Sequence, residues 1–136
     1  MKPNESLFCI ETAAQAAAIF RAVLPKDQQE ERVFVLPLDT NGKMLAKPIL
    51  VSGGQRNGTA TIDAGAIFRE ALKAGAEAII VAYSQPSGVE KPSKTDIAAT
   101  SELKDLAKRL DVVFLDFLVI GVGENGGFAS LAELCG

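Results

Sequence analysis

Two nearly continuous apolar segments, separated by an amphipathic one, constrain the fold of this chain most. Residues 76–82 (AEAIIVA) and 112–120 (VVFLDFLVI) lack the alternation of a half-exposed strand, which predicts strands that are buried on both faces. Residues 95–110 between them carry apolar side chains at a helical period. Strands and helices therefore mix around one sheet, which predicts an α/β domain of two or three layers.

The first half of the chain reads as a helix followed by a hairpin. Residues 11–24 have a helical apolar period, and residues 32–38 and 44–51 read as strands on either side of the turn at residues 39–42 (DTNG). Pro37 indicates an edge or the end of the first strand, because proline has no N–H to donate. A homodimer that pairs at this edge is one option.

A second helix and a last strand complete the prediction. Asp63 can cap a helix that runs to Lys73 and ends at Gly75, with Ile67, Ala71 and Leu72 facing inward. Residues 127–131 read as a short strand. The glycine-rich residues 52–58 lack the Lys-Ser/Thr pair of a phosphate-binding loop, which predicts a flexible hairpin or crossover loop. Only ten residues follow residues 121–126 (GVGENG), too few for a dinucleotide-binding unit, which predicts a glycine-rich turn between two strands.

Composition narrows the class of protein further. The chain has 136 residues, of which 48% are hydrophobic, and a net charge of −3, which predicts one acidic domain over residues 1–136. Residues 1–10 are charged, so we expect a poorly ordered segment there and no signal peptide. No apolar run approaches a membrane span, and two cysteines do not make a secreted disulfide framework. We expect a cytoplasmic protein.

The chain has no histidine. This excludes Ser-His-Asp and Cys-His catalysis within the chain and any zinc site with a histidine ligand. Two cysteines are also too few for a four-thiolate zinc site.

One polar stretch is placed where α/β sheets usually carry their sites. Residues 83–88 (YSQPSG) follow the buried strand, are predicted to lie in a loop, and lead to residues 92–96 (PSKTD) at the start of a helix. Ser93 and Asp96 have the spacing of a capping box, in which each side chain bonds the backbone N–H of the other residue.

This stretch resembles the zinc motif of the RadC family of JAB/MPN (JAMM) metallopeptidases, H-N-H-P-S-G-D-P-x-P-S-x-x-D, which here reads Y-S-Q-P-S-G-V-E-K-P-S-K-T-D. Four further segments, at residues 11–14, 34–42, 67–72 and 115–121, are similar to that family as well. The resemblance implies a JAB/MPN-like fold (cytidine-deaminase-like), a mixed sheet flanked by helices. In the family, the two histidines and the aspartate bind zinc.

The departures from the family motif predict a protein without zinc. Tyr83 and Gln85 replace the two histidine ligands, and Phe117 replaces a third family histidine. Only Asp96 remains, and we expect it to cap a helix. The general-base glutamate of the family is expected near the second strand, yet no acidic residue lies between Asp39 and Asp63. We therefore expect no metal, no cofactor and no catalytic residue, and a vestigial JAMM site at Tyr83, Gln85, Ser93 and Asp96.

The leading functional hypothesis is a non-catalytic member with a binding, scaffold or assembly role. An exposed cleft at Tyr83, Gln85 and Phe117, also lined by Ser84, Ser87 and Asp116, would bind a protein, a peptide or a small ligand. A hydrolase with a non-zinc or rearranged site around Asp96 is a second hypothesis, and a DNA-repair accessory protein is a third. The acidic charge argues against direct nucleic-acid binding, and no membrane contact is expected.

Overall fold

A computed structural model describes residues 9–24, 31–51, 55–56, 59–60, 62–85, 93–121 and 127–132. All the elements predicted from the sequence are present, most of them with shorter bounds. In chain order they are α1 (Ala13–Ala22), β1 (Val33–Leu38), β2 (Ile49–Val51), β3 (Gln55–Arg56), β4 (Thr59–Ala60), α2 (Ala64–Lys73), β5 (Ala78–Gln85), α3 (Lys94–Leu110), β6 (Val113–Gly121) and β7 (Phe128–Ser130).

A five-stranded mixed sheet organises the fold. Its order is β2-β1-β5-β6-β7, with β5 and β6 parallel and the other neighbours antiparallel, while β3 and β4 form a separate hairpin. Three helices flank the sheet, which confirms the predicted α/β class. The parallel pair joined by α3 places the carboxyl ends of β5 and β6 at one end of the sheet, together with the start of β1.

The expectation that residues 32–38 form a sheet edge is wrong. Strand β1 lies between β2 and β5, so it has no open side for a second copy of the chain. Pro37 is tolerated because it lies near the end of β1, beyond the last β2 pair at Val35 and Ile49. Its carbonyl still accepts a hydrogen bond from the Leu45 N–H at 2.9 Å.

Each face of the sheet has its own hydrophobic cluster. Helices α2 and α3 cover the face that carries Val33, Val81 and Phe117, and α1 covers the opposite face. Leu72, which we expected to point inward from α2, is 47% exposed. The fold therefore has three layers, with α2 and α3 on one side and α1 on the other.

Short-range chemistry fixes the helix starts and the hairpin turn. Asp63 caps α2 by accepting a hydrogen bond from the Ala66 N–H at 3.1 Å. Asp39 accepts from the backbone N–H groups of Asn41 and Lys43 at 2.8 and 2.9 Å, which closes the predicted turn. Gly42 has a φ of +84°, and a Cβ atom there would lie 3.1 Å from the Ile10 carbonyl oxygen.

The start of the described chain pairs with this turn. Cys9 and Lys43 form an isolated antiparallel β-bridge, and the Ile10 N–H donates to the Gly42 carbonyl at 2.8 Å. The rest of the segment that we expected to be poorly ordered, residues 1–8, lies outside the described residues. Cys9 is exposed, and its thiol is free within the described ranges. None of the helices in the described ranges has the length and apolar character needed to cross a bilayer.

The glycine-rich residues 121–127 join β6 to β7, as predicted, although residues 122–126 lie outside the described ranges. The Gly121 N–H donates to the Gly127 carbonyl at 2.9 Å. The guanidinium of Arg21, from α1, donates to the carbonyl oxygens of both glycines at 2.7 and 2.8 Å. One arginine therefore ties the ends of this turn to α1.

Candidate functional site

The residues that resemble the zinc motif meet at the end of the sheet where β5 ends and α3 begins. Tyr83 and Gln85 are the last residues of β5 on the face that α3 covers. The sequence placed them in a loop, but Tyr83 pairs with Val33 of β1 and with Val119 of β6, so they belong to the sheet. Ser93 and Asp96 open α3 beside them.

Glu31 joins this group from the residues that precede β1. Side chains alternate along a strand, so Glu31 lies on the same face as Val33 and diagonally opposite Tyr83. Glu31 raises the pKa of the Tyr83 hydroxyl, by hydrogen bonding and by its negative charge. We call Glu31, Tyr83, Gln85, Ser93 and Asp96 the candidate site.

The Tyr83 phenol is strongly disfavoured as a phenolate. Only 8% of the residue is exposed. Burial raises the pKa of its hydroxyl well above the ordinary value of 10.0, and the hydrogen bond to Glu31 and the negative charges of Glu31 and Asp96 raise this pKa further. The hydroxyl therefore remains a neutral donor at physiological pH.

Asp96 caps α3, as the sequence predicted. Its Oδ2 atom accepts a hydrogen bond from the Ser93 N–H at 2.9 Å, and the Ser93 hydroxyl accepts one from the Asp96 N–H at 3.1 Å. Asp96 is only 5% exposed, and its charge lies close enough to Tyr83 to act on that phenol. One carboxylate therefore serves both the helix start and the candidate site.

Gln85 and Ser84 have different surroundings. The Oε1 atom of Gln85 is buried and has no hydrogen-bond partner within the part of the chain that the structure describes. Ser84 points to the opposite face of the sheet, where its hydroxyl accepts from the Arg32 N–H at 3.0 Å and donates to the Arg32 carbonyl at 3.5 Å. Ser84 is 2% exposed and ties β5 to the start of β1, so it does not line an open cleft.

Two further residues proposed for the cleft lie in the interior. Phe117 is fully buried in the cluster under α2 and α3, so the expectation that it is exposed is wrong. The Asp116 carboxylate accepts from the Phe117 N–H at 2.8 Å, the Ser130 hydroxyl at 2.6 Å and the Ala132 N–H at 3.0 Å. It joins β6, β7 and the residues that follow β7. Ser87 lies outside the described residues.

Sequence reasoning missed Glu31 because it looked for an acidic residue between Asp39 and Asp63. Glu31 instead lies just before the start of β1, and its carboxylate acts on Tyr83 from there. The only signal in the sequence is the position of Glu31, two residues before Val33. It becomes informative once the register pairs Val33 with Tyr83, and that pairing is not visible in a single sequence.

The donor groups of the candidate site do not suit zinc. Zinc in proteins prefers imidazole and thiolate, whereas this site offers a neutral phenol, an amide and carboxylates, one of them engaged in a helix cap. In the described ranges, no three histidine, cysteine, aspartate or glutamate side chains lie close enough together to hold a metal ion.

Comparison with known proteins gives one consistent result. The family model of the RadC-like JAB domain matches residues 10–135. A UPF0758 protein of Cyanothece sp. is 36% identical over 133 residues, which covers 97% of this chain and 51% of the relative. UPF0758 proteins of Carboxydothermus hydrogenoformans and Vibrio cholerae are 38% and 32% identical, over 78% and 87% of this chain and 45% and 52% of theirs. The chain therefore spans about half the length of these relatives.

Proposed function

The chain belongs to the RadC-like JAB domain family, and we propose that it is a non-catalytic member that binds a protein or peptide partner as a scaffold or assembly module. The family fold supports this role, because a fold can be kept for binding when its site no longer supports the chemistry. A second copy of the chain is one such partner.

One observation carries the proposal. The phenol of Tyr83 stands at one of the two positions that resemble the zinc-binding histidines, and burial raises the pKa of its hydroxyl, so it stays protonated. A zinc hydrolase needs a metal that lowers the pKa of bound water to about 7. A neutral phenol and an amide are poor substitutes for the two imidazoles that would hold such a metal.

Metal content is the direct test. We expect protein purified without a polyhistidine tag to contain no stoichiometric zinc by elemental mass spectrometry. The Asp96→Ala variant serves as the control and should give the same reading as the wild type. One zinc per chain that is lost in Asp96→Ala, together with zinc-dependent isopeptidase activity, would refute the proposal.

A gain-of-binding variant makes this test sharper. Tyr83→His with Gln85→His supplies two imidazoles next to Asp96, and we expect this double variant to bind zinc where the wild type does not. Adding Asp96→Ala should weaken that binding. Failure of the double variant to bind zinc, while it remains folded, would mean that the fold has diverged at this site beyond the two side chains.

Glu31 favours a second candidate function, a hydrolase with a rearranged site around Asp96. Glu31 and Asp96 both act on Tyr83. Carboxylates that meet in one site can hold a hard cation such as Mg²⁺ or act as a general acid and base. Assay against a panel of hydrolase substrates, with and without magnesium, tests this candidate. Activity that is lost in Glu31→Gln would establish it, and an inert profile would exclude it.

A further inference from the structure

One edge of strand β6 is open over part of its length. Strand β7 pairs with β6 only from Leu118 to Ile120. Before these pairs, residues 113–117 lie along β5 on one side, and no strand of the described chain pairs with their other side. An open edge presents backbone N–H and C=O groups that a further strand can bind.

The backbone polar groups of Phe114 face this open side. The Val113 N–H donates to the Glu77 carbonyl at 3.0 Å, so Val113 directs its backbone groups toward β5. Because consecutive residues of a strand direct these groups to opposite sides, those of Phe114 point away from β5. Phe114 therefore offers a donor and an acceptor to an incoming strand.

Apolar side chains flank these backbone groups. Val113 is 53% exposed and Leu115 is 41% exposed, although both belong to a strand of the central sheet. Phe114 is partly buried against the cluster under α2 and α3, and Val113 lies on the opposite face because side chains alternate along a strand. A strand added here would remove exposed apolar area from water, which favours binding.

A groove between this edge and α3 carries positive charge. Its volume is about 410 Å³, within the range of roughly 300–1,000 Å³ that ligand-binding pockets have. Lys104, Asp105 and Lys108 of α3 line it together with Phe114. Lys104 and Lys108 are four residues apart, hence on one face of the helix, and neither forms a salt bridge with a described residue. The groove therefore has one more positive than negative side chain, whereas the whole chain has a net charge of −3.

We propose that this groove binds an extended peptide of alternating acidic and apolar residues, which adds a strand to the open edge of β6. Alternate side chains of such a strand point to opposite faces of the sheet. The acidic ones would then meet Lys104 and Lys108 on the α3 side, and the apolar ones would lie beside Val113 on the other. Backbone hydrogen bonds supply affinity in this mode of recognition, and the side chains supply specificity. The inference rests on the proposed function and names the surface and the chemistry of the partner.

Peptide titrations on the full chain test the proposal. We expect the dye-labelled peptide EVEVEV to bind saturably in fluorescence anisotropy. The peptide KVKVKV, with the opposite charge, should bind at least about tenfold more weakly. EVEVEV that is N-methylated throughout should also lose about tenfold or more, because it cannot donate backbone hydrogen bonds to the edge. Equal binding of either control peptide, or no binding of EVEVEV, would overturn the proposal.

Matched variants of α3 test the location of binding. Lys104→Gln/Lys108→Gln should weaken EVEVEV binding by about three- to tenfold, since it removes both cations of the groove. Lys94→Gln/Arg109→Gln removes two exposed cations of the same helix that do not line the groove, and should leave binding unchanged. Equal losses in the two double variants would show only a general effect of charge and would overturn the proposal.

Hydrogen exchange gives a readout at the edge itself. Saturating EVEVEV should slow exchange of the Phe114 amide, because that N–H gains an acceptor. An unchanged rate would place the peptide elsewhere. A dimer seen by light scattering that slows this amide without peptide would give the edge to a second copy of the chain, and so would also overturn the proposal. These outcomes are separate from the absence of zinc chemistry, which the metal content of the wild type decides.

Discussion

Two aspartates, both buried in the part of the chain that the structure describes, differ in the hydrogen bonds that their carboxylates accept. Asp116 is 9% exposed and accepts three hydrogen bonds, two from backbone N–H groups and one from the Ser130 hydroxyl. Asp96 is 5% exposed. Among the described residues, its carboxylate accepts one hydrogen bond, from the backbone N–H of Ser93. Its negative charge also acts on the Tyr83 phenol, as does that of Glu31.

This difference separates a structural carboxylate from a carboxylate at a candidate site. The donors to Asp116 come from the strand ends that it joins, so its charge is fully used in holding them. Among the described residues, the Asp96 carboxylate accepts from the helix cap and its charge acts on Tyr83 of another element. Burial alone would have ranked the two residues equally, whereas the identity of their partners distinguishes them.

Removal of Asp116 should have the largest effect. Asp116→Ala leaves the buried N–H of Phe117, the Ala132 N–H and the Ser130 hydroxyl without their acceptor, so we expect the free energy of unfolding to fall by roughly 3 kcal/mol or more. Chemical denaturation measures this loss. Asp105→Ala, on the exposed face of α3, is the matched control and should change stability by less than about 0.5 kcal/mol. A similarly small loss in Asp116→Ala would show that the three hydrogen bonds do not stabilise the strand junction.

Titration of Tyr83 should give the next largest effect. It tests the surroundings of Asp96, because the charge of Asp96 acts on the Tyr83 phenol. The chain contains one tyrosine and no tryptophan, so the near-ultraviolet absorbance of tyrosinate reports Tyr83 alone. Since burial and the neighbouring carboxylates raise its pKa, we expect no tyrosinate signal from the folded protein around pH 10, where the unfolded chain ionises.

The same shift predicts how stability depends on pH. Above the pKa of the unfolded state, the unfolded chain binds fewer protons than the folded one, so the free energy of unfolding must decrease as pH rises. The wild type should therefore lose stability from about pH 10 upward more steeply than Tyr83→Phe, as measured by denaturation at a series of pH values. Parallel slopes for the two proteins would contradict the burial of the phenol next to the two carboxylates.

Local chemistry explains what the sequence could predict. The caps at Asp63 and at Ser93 with Asp96, and the turn at residues 39–42, depend on residues within four positions of one another, and all three appear as expected. The long apolar runs of β5 and β6 are continuous along the chain, so they too identified the core strands from the sequence. The JAB-like architecture followed from the family resemblance and is confirmed by the family match.

Pairing between distant strands explains what the sequence could not predict. Polar side chains and Pro86 made residues 83–85 look like a loop, but pairing with both β1 and β6 extends β5 through them. The burial of Phe117 depends on which face of β6 α2 and α3 cover. Glu31 joins the candidate site only through the register that sets Val33 opposite Tyr83. Each of these facts is a contact between distant residues that local patterns do not encode.

The smallest expected effect compares the two halves of the α3 cap. Ser93→Ala removes the hydroxyl that accepts from the Asp96 N–H and should lower the free energy of unfolding by about 1 kcal/mol. Asp96→Ala removes the reciprocal bond and a favourable negative charge in the first helical turn, so we expect a comparable loss of about 1 kcal/mol. Denaturation of both variants, with Asp96→Asn as a control that keeps an acceptor for the Ser93 N–H, measures the difference. If Asp96→Ala were as costly as Asp116→Ala, the carboxylate of Asp96 would be as fully committed to the fold as that of Asp116. The two aspartates would then be alike, and the distinction between them would be lost.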